Sequence, residues 1–307
     1  MRIVQAGDGW VQSLAFTQDG RTLAAVVRGN GGGAERGAVY LWDRTSGECR
    51  RVGRFDTRQA ALSPDGRLLA TAEWHPAADV DRELQVTLRK LPEFHPPIPL
   101  DPPLLVESLA FALDGGSLLA CGQSPGAPQP ASNLLQWDVV SGKVRNTRRS
   151  PEAAYTLAAS PDGRLLATAD AANIVLLLTW PQSRLLGAQR LRGIVRALAF
   201  APDGATLAVA TGWTVNRYDT AKFRPSARLR GHRDSVTALA FTPDGGTLIS
   251  TGDDGLVNVW DTASGRLRRS HAWGIGAVSA VAVAADGLAA AAGGTEGRVV
   301  VWDLDEG

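Results

Sequence analysis

The sequence predicts an all-β fold, a closed seven-bladed β-propeller of four-stranded antiparallel blades, and three observations predict it. An Asp-Gly pair closes an apolar strand at Asp19, Asp65, Asp114, Asp162, Asp203, Asp244 and Asp286, so that successive copies lie 46, 49, 48, 41, 41 and 42 residues apart. Repetition at a period of about 40 to 45 residues is the mark of a stacked four-stranded unit. The second observation is local. Within Gly231 to Asp261, the runs Val236 to Phe241, Thr247 to Thr251 and Leu256 to Trp260 read as three strands. Between them lie Thr242-Pro243-Asp244-Gly245 and Asp253-Asp254-Gly255, in which proline presets one turn dihedral and glycine accepts positive φ. Such a meander cannot bury both faces alone and needs neighbours. The third is length, since seven units of about 44 residues account for all 307, and residues 1–307 are expected to form one domain.

Each unit can be placed in order. Met1 to Gln5 is a short strand before the first complete unit, and the chain stops four residues after Trp302-Asp303. Arg2-Ile3-Val4 is therefore expected to supply the outer strand of the last blade, opposite Val299 to Val301, and to close the ring. Blade one runs from Trp10 through Trp42-Asp43, with the Gly-rich insertion Gly29 to Gly37 between its second and third strands. Blade two carries Ser63-Pro64-Asp65-Gly66, an insertion around Trp74 to Arg82, and Arg89-Lys90 as its closing pair. The stretch Leu91 to Pro103, in which six of thirteen residues are proline, is expected to skirt the outer edge in extended form, because proline cannot donate to a ladder. Blade three centres on Asp114-Gly115 and Trp137-Asp138, with an insertion from Gly122 to Ser132. Blade four has Ser160-Pro161-Asp162-Gly163 and closes on Leu178-Thr179, blade five runs from Val195 through Tyr218-Asp219, and blade seven from Val278 through Trp302-Asp303. In a meander the first and third turns share one face of the ring, and the second turns and interblade links share the other. All three insertions are second turns of consecutive blades, so they are expected to crowd one sector of one face.

Gly231-His232 at the start of the sixth unit and Trp260-Asp261 at its end, with Trp42-Asp43, Trp137-Asp138, Tyr218-Asp219 and Trp302-Asp303 at corresponding places, resemble the WD40-repeat family over essentially the whole chain. The resemblance implies a buried hydrogen-bonded chain of His232, Ser250, Asp254 and Trp260. A buried carboxylate and imidazole need partners, and so does an indole N–H. Only blade six has the full set; Gly7 and Gly274 stand at the histidine position in blades one and seven. The Ser-Pro-Asp-Gly-Arg-Leu-Leu-Ala-Thr wording of blades two and four resembles bacterial members. The family is implied to be an interaction scaffold.

Composition narrows the function. Net charge is +1, which gives no general attraction to nucleic acid or an anionic membrane. No apolar run approaches the roughly 18 residues of a spanning helix, and no charged-then-apolar leader opens the chain. Cys49 and Cys121 make no disulfide framework and suit a reducing cytoplasm. The four histidines, His75, His95, His232 and His271, are not at ligand spacing, and His75 near Asp79 and Asp81 reads as a solvated turn. No metal and no cofactor is expected. Gly122-Gln123-Ser124-Pro125-Gly126 fits a nucleophile elbow, but Pro125, Pro128 and Pro130 exclude the helix that motif requires. Gly29 to Ala34 fits a loose dinucleotide fingerprint without room for its helix.

Two residue sets point to a partner on the insertion-bearing face. Trp10 and Trp273 fall in interblade links and Trp74 and Trp213 in second turns, whereas Trp180 falls on the opposite face; tryptophan is enriched among interface hot spots. The position of Thr237 near the end of each inner strand holds Gln12, Arg58, Glu107, Tyr155, Arg196, Thr237 and Ser279, all polar or hydroxyl-bearing. Such a ring at a channel mouth suits a peptide or small ligand, or is the polar rim a closed core needs. Arginines recurring in the outer strands, such as Arg228 and Arg230, suit an acidic partner or guard sheet edges against pairing. The expected function is a non-catalytic, monomeric scaffold for a protein or peptide. The alternatives are a ligand or phosphopeptide sensor using Arg58 and Arg196, and a lactonase-like propeller enzyme, for which only Glu107 offers an acid on the inner strands.

Overall fold

The computed structural model describes residues 1–29, 37–55, 57–74, 84–91, 96–101, 105–112, 115–123, 132–150 and 154–304. Among them are twenty-eight strands in seven four-stranded antiparallel sheets, and no helix. Blade six shows the order: Val236–Phe241 innermost, then Thr247–Gly252, Leu256–Asp261 and Leu267–Ala272 at the rim. Blade seven takes its inner three strands from Val278–Val283, Ala289–Gly294 and Arg298–Asp303 and its outer strand from Arg2–Gln5. Arg2 lies opposite Val301, Ile3 opposite Val300 and Val4 opposite Val299, the register expected from the sequence.

The repeated Asp-Gly pair forms the turn between the first two strands of each blade. Gly20, Gly66, Gly115, Gly163, Gly204, Gly245 and Gly287 all have φ between 66° and 73°, a left-handed conformation in which a β-carbon is strained. The aspartate before six of these glycines, Gly115 aside, is also a backbone cap: Asp65 Oδ1 accepts the Arg67 N–H at 3.0 Å and the Ser63 hydroxyl at 2.6 Å, and Asp162 repeats both contacts with Arg164 and Ser160. An Asx turn with an αL glycine sets the hairpin register. The aspartates of Trp42-Asp43, Trp137-Asp138 and Trp260-Asp261 cap the next turn in the same way, as Asp261 does for Ser264 N at 2.7 Å.

Seven apolar clusters fill the seven gaps between neighbouring blades. Ala24, Val26, Val39 and Leu41 of blade one meet Leu62 and Leu69 of blade two, and the last gap joins Ala280, Ala289 and Ala291 of blade seven to Val11, Leu14 and Phe16 of blade one. Side chains of a strand alternate between faces. In Thr206–Thr211, Leu207 and Val209 therefore face blade four while Ala208 and Ala210 face blade six, and the strand reads as apolar throughout. Blade seven's second strand is built from small residues, Ala289–Gly294, all buried. A β-carbon at Gly293 would lie 2.4 Å from Val11 Cγ1, so glycine is what admits blade one at the closing seam.

Leu69 lies opposite Arg89 and Leu166 opposite Leu178, as Leu248 lies opposite Trp260, which fixes the closing positions of blades two and four. The Pro-rich stretch supplies blade two's outer strand, Ile98–Leu100, with Pro99 opposite Thr87 at the free edge. The insertions fall between second and third strands as expected. Residues 30–36, 75–83 and 124–131 within them lie outside the described residues, which takes in His75, Asp79, Asp81 and the elbow-like Ser124.

Candidate protein-binding face

The polar ring is made by backbone geometry. The inner strand of every blade has an irregular register at one place: between Val11 and Ser13, Thr57 and Gln59, Val106 and Ser108, Ala154 and Thr156, Val195 and Ala197, Val236 and Ala238, and Val278 and Ala280. The skipped residues are Gln12, Arg58, Glu107, Tyr155, Arg196, Thr237 and Ser279. A bulge leaves one residue without a ladder partner and re-aims its side chain. Several of these side chains reach the next blade. Thr237 Oγ1 donates to the Val278 carbonyl, Ser279 Oγ to the Val11 carbonyl at 2.7 Å, Gln12 Nε2 to Gln59 Oε1 at 3.4 Å, and Arg196 Nη1 pairs with Asp253 at 3.1 Å. Tyr155 is half-buried, and burial raises its phenol pKa against an opposing hydrogen bond from the Val195 backbone. Glu107 is half-buried, and the side chain of Arg58 lies outside the described residues. Four of the ring residues thus tie one blade to the next, and Arg196 is the most exposed of those whose side chains are described.

The tryptophans differ from expectation in two placements. Trp10 is not in a link but begins the strand Trp10–Phe16, and Trp74 is not in a turn but ends Leu68–Trp74. Each strand runs further toward the face than its apolar pattern suggests, because the long second hairpins extend the ladder, as Trp10 opposite Arg28 shows. Trp10 is 39% exposed, with the Arg28 guanidinium 5.6 Å above its ring. The side chain of Trp74 lies outside the described residues. Trp213 is 62% exposed at the tip of the blade-five hairpin. Trp273 is half-buried in the link to blade seven, between His271 at 4.8 Å and Trp302 at 4.8 Å. On the other face Trp180 is buried and donates to Gln136 Oε1 at 2.9 Å. The structure places Trp10, Trp213 and Trp273 on one face but on different blades, so they do not form one cluster.

Blade six contains the complete polar chain. Asp254 accepts from His232 Nδ1 at 3.0 Å, His232 Nε2 meets Ser250 Oγ at 2.8 Å, and Trp260 Nε1 donates to Ser250 Oγ at 2.8 Å. An ionised carboxylate only accepts, so Nδ1 carries the imidazole proton, Nε2 accepts the serine hydroxyl, and the serine oxygen accepts the indole. Burial pushes the Asp254 carboxyl up. The N–H groups of Arg233 and Leu256 and the His232 ring outweigh it, and its pKa is held below the usual carboxylate value. The chain runs through the blade interior, where the side chains of His232 and Asp254 are almost wholly buried. A β-carbon at Gly231 would sit 2.8 Å from the Trp260 indole, which explains the glycine before His232.

A WD domain, G-beta repeat family model matches residues 223–261, the span of this chain of contacts. WD repeat-containing protein SL1-17 of Schistosoma mansoni is 32% identical to this chain over 138 residues. Residues 223–261 are thus identified as a WD40 repeat. The match to SL1-17 takes in 44% of this chain and 46% of the relative, so it spans about half the relative's length. Other blades replace the polar chain locally. Trp273 and Gly274 stand where Gly231 and His232 do, and Trp273 packs on Trp302 in place of the histidine. In blade three Trp137 donates to the Asp101 carbonyl at 2.7 Å. In blade two the tryptophan place holds Arg89, buried, with Nη1 3.4 Å from Thr87 Oγ1. The sequence pattern did not bring out Arg233, which lines one cavity with Trp213, or the exposed Ile194, whose carbonyl accepts the N–H of neighbouring Gly212; an isoleucine in a link after Gly193 was the available signal.

Proposed function

We propose that this WD40 propeller is a non-catalytic scaffold whose insertion-bearing face binds a protein partner. The observation that carries the reading is that the two exposed tryptophans among the described side chains, Trp10 and Trp213, lie on this face, whereas Trp180 on the other is buried. A rigid indole left in water is the side chain that most often dominates an interface. The bulge residues whose side chains are described support the same reading, since all of them are polar or hydroxyl-bearing and lie on that face. The reading includes a cytoplasmic location, suited to the free Cys49 and Cys121, the latter fully buried with its thiol pKa pushed up by burial. It also includes a monomeric state and a bacterial setting, the last resting on the wording of blades two and four.

Changing Trp10, Trp213 and Arg196 together to alanine tests it. The expected result is loss of partner capture in a pull-down with thermal stability nearly unchanged, because an exposed ion pair such as Arg196–Asp253 contributes only about 0–1 kcal/mol. Unaltered capture of the same partners would count against the reading.

A further inference from the structure

The second turn of blade five is the shortest on its face, two residues between Thr206–Thr211 and Thr214–Asp219. Gly212 takes its first position with φ of 50°, the conformation such a hairpin needs, and the Gly212 carbonyl accepts the Val236 N–H at 2.7 Å. The tip is therefore pinned to blade six. It carries Trp213, and Gly212 N donates to the carbonyl of Ile194, itself 60% exposed. Two large apolar side chains are held in water at one stiff point.

Arginines stand beside them. Arg228 and Arg230 lie on the outer strand Arg224–Arg230, opposite Asn216 and Thr214, with Leu229 between them turned into the core. Both guanidinium groups thus leave the same side of the sheet. They line, with Trp213, Arg233, Thr214 and His232, an open cavity of about 580 Å³. Among the described residues no carboxylate pairs with Arg228, Arg230 or Arg233. The acids of the adjoining turn are engaged elsewhere, Asp253 by Arg196 and Asp254 by His232, and Asp234 caps Ser235 N at 2.7 Å.

Three unpaired cations together repel one another, and a guanidinium fork fits a carboxylate in two hydrogen bonds. Residues two apart on a strand are about 6.8 Å apart, which is also the spacing of alternate side chains in an extended peptide. We propose that this cavity docks an extended acidic peptide segment of a protein partner. Its alternate carboxylates lie over Arg228 and Arg230, and an apolar side chain lies against Trp213 and Ile194. The inference rests on the reading of this face as the interaction face and names the chemistry of what it binds.

The test is fluorescence anisotropy of the full chain with a labelled nonapeptide of alternating glutamate and serine around a central phenylalanine. Its glutamine counterpart, its phosphoserine counterpart and oligouridylate are the other probes. The glutamate peptide is expected to bind, to weaken about tenfold as salt rises from about 0.05 to about 0.3 M, and to bind more tightly than the other three. Trp213→Ala and the Arg228→Gln/Arg230→Gln double variant should each weaken it about tenfold or more, with melting unchanged, while Val140→Ala, in the exposed turn after Trp137-Asp138, should leave it unaltered. Absence of binding, equal binding of the glutamine peptide, indifference to these variants, or preference for phosphoserine or oligouridylate would overturn the inference. Partner capture that survives Arg228→Gln/Arg230→Gln but fails in the Trp10, Trp213 and Arg196 variant would overturn it while leaving the wider reading of the face standing. Capture that survives both would overturn both.

Discussion

Replacing Ser250 by alanine deletes one oxygen, and the structure says what that oxygen holds. It accepts the Trp260 N–H and donates to His232 Nε2, each at 2.8 Å, in a place where Ser250 is fully buried. Alanine leaves two buried polar groups without partners, at about 1–3 kcal/mol each, so the expected cost is about 2–6 kcal/mol. The strand itself is not at issue, because the matching position is Ala25 in blade one, Ala120 in blade three and Ala292 in blade seven. At about 2 °C per kcal/mol for a chain of this size, the melting temperature should fall by about 4–12 °C. Urea titrations followed by tryptophan fluorescence would measure the loss. A second variant, Trp260→Phe, separates the contributions: with the indole donor already gone, Ser250→Ala strands only the imidazole and should cost about 1–3 kcal/mol less than in the wild-type background. A single-variant cost below about 1 kcal/mol, or strict additivity with Trp260→Phe, would refute the account of a connected chain.

Two further outcomes are expected. Asn258 lies opposite Ser250, fully buried, and neither its amide nitrogen nor its oxygen has a hydrogen-bond partner among the described residues. Val300 occupies the same register in blade seven, so Asn258→Val should raise stability by about 1 kcal/mol in the same titration, and a loss would refute it. The turn carboxyls of Asp19, Asp43, Asp138, Asp162, Asp244 and Asp261 are lowered by the hydroxyls and backbone N–H groups they cap, Asp138 to about 2, and Asp254 is lowered with them. A folded pKa below the unfolded one contributes stability that is complete above the unfolded value and lost as pH falls through the folded one. The urea midpoint should therefore hold steady above about pH 5 and drop below about pH 4; a midpoint that is flat down to about pH 2.5 would refute the assignment.

The features legible in the sequence are those set by short-range geometry. The αL glycine and the aspartate cap of a first turn constrain neighbours within a few residues, so Asp65-Gly66 or Asp244-Gly245 announces its hairpin wherever it occurs. The closing strand was legible for a similar reason, since Arg2-Ile3-Val4 is a strand for which the last unit has a vacancy. The polar chain of blade six could be named because its four residues follow the family pattern, although its order of donors needs the distances. The features missed depend on contacts between units. Whether Thr237 or Ser279 faces a ligand or ties to the next blade is decided by where the Val278 and Val11 carbonyls lie, and no pattern within one blade contains that. Two turns without glycine make the same point: Ser183 and Phe223 adopt φ of 57° and 48° where other blades place glycine, and Phe223 is held there by packing on Tyr218 at 5.4 Å.

The division between legible and illegible features also bears on where specificity can reside. Interblade clusters repeat seven times and capped turns recur around the ring, and so cannot distinguish one sector from another. What is unrepeated is the departure: long second turns in blades one to three, and in blade five a turn so short that Trp213 has no loop to cover it. Solvating an indole is unfavourable by the apolar area it exposes, and nothing in the folding of blade five requires a tryptophan there, since the turn geometry is supplied by Gly212. Arg228, Arg230 and Arg233 add electrostatic repulsion at the same place. Three cations and an exposed ring weaken the free protein slightly and become favourable together only when an anionic, apolar-tipped chain covers them, which is why this sector, rather than the channel mouth whose described side chains largely tie blade to blade, is the place to look for the partner.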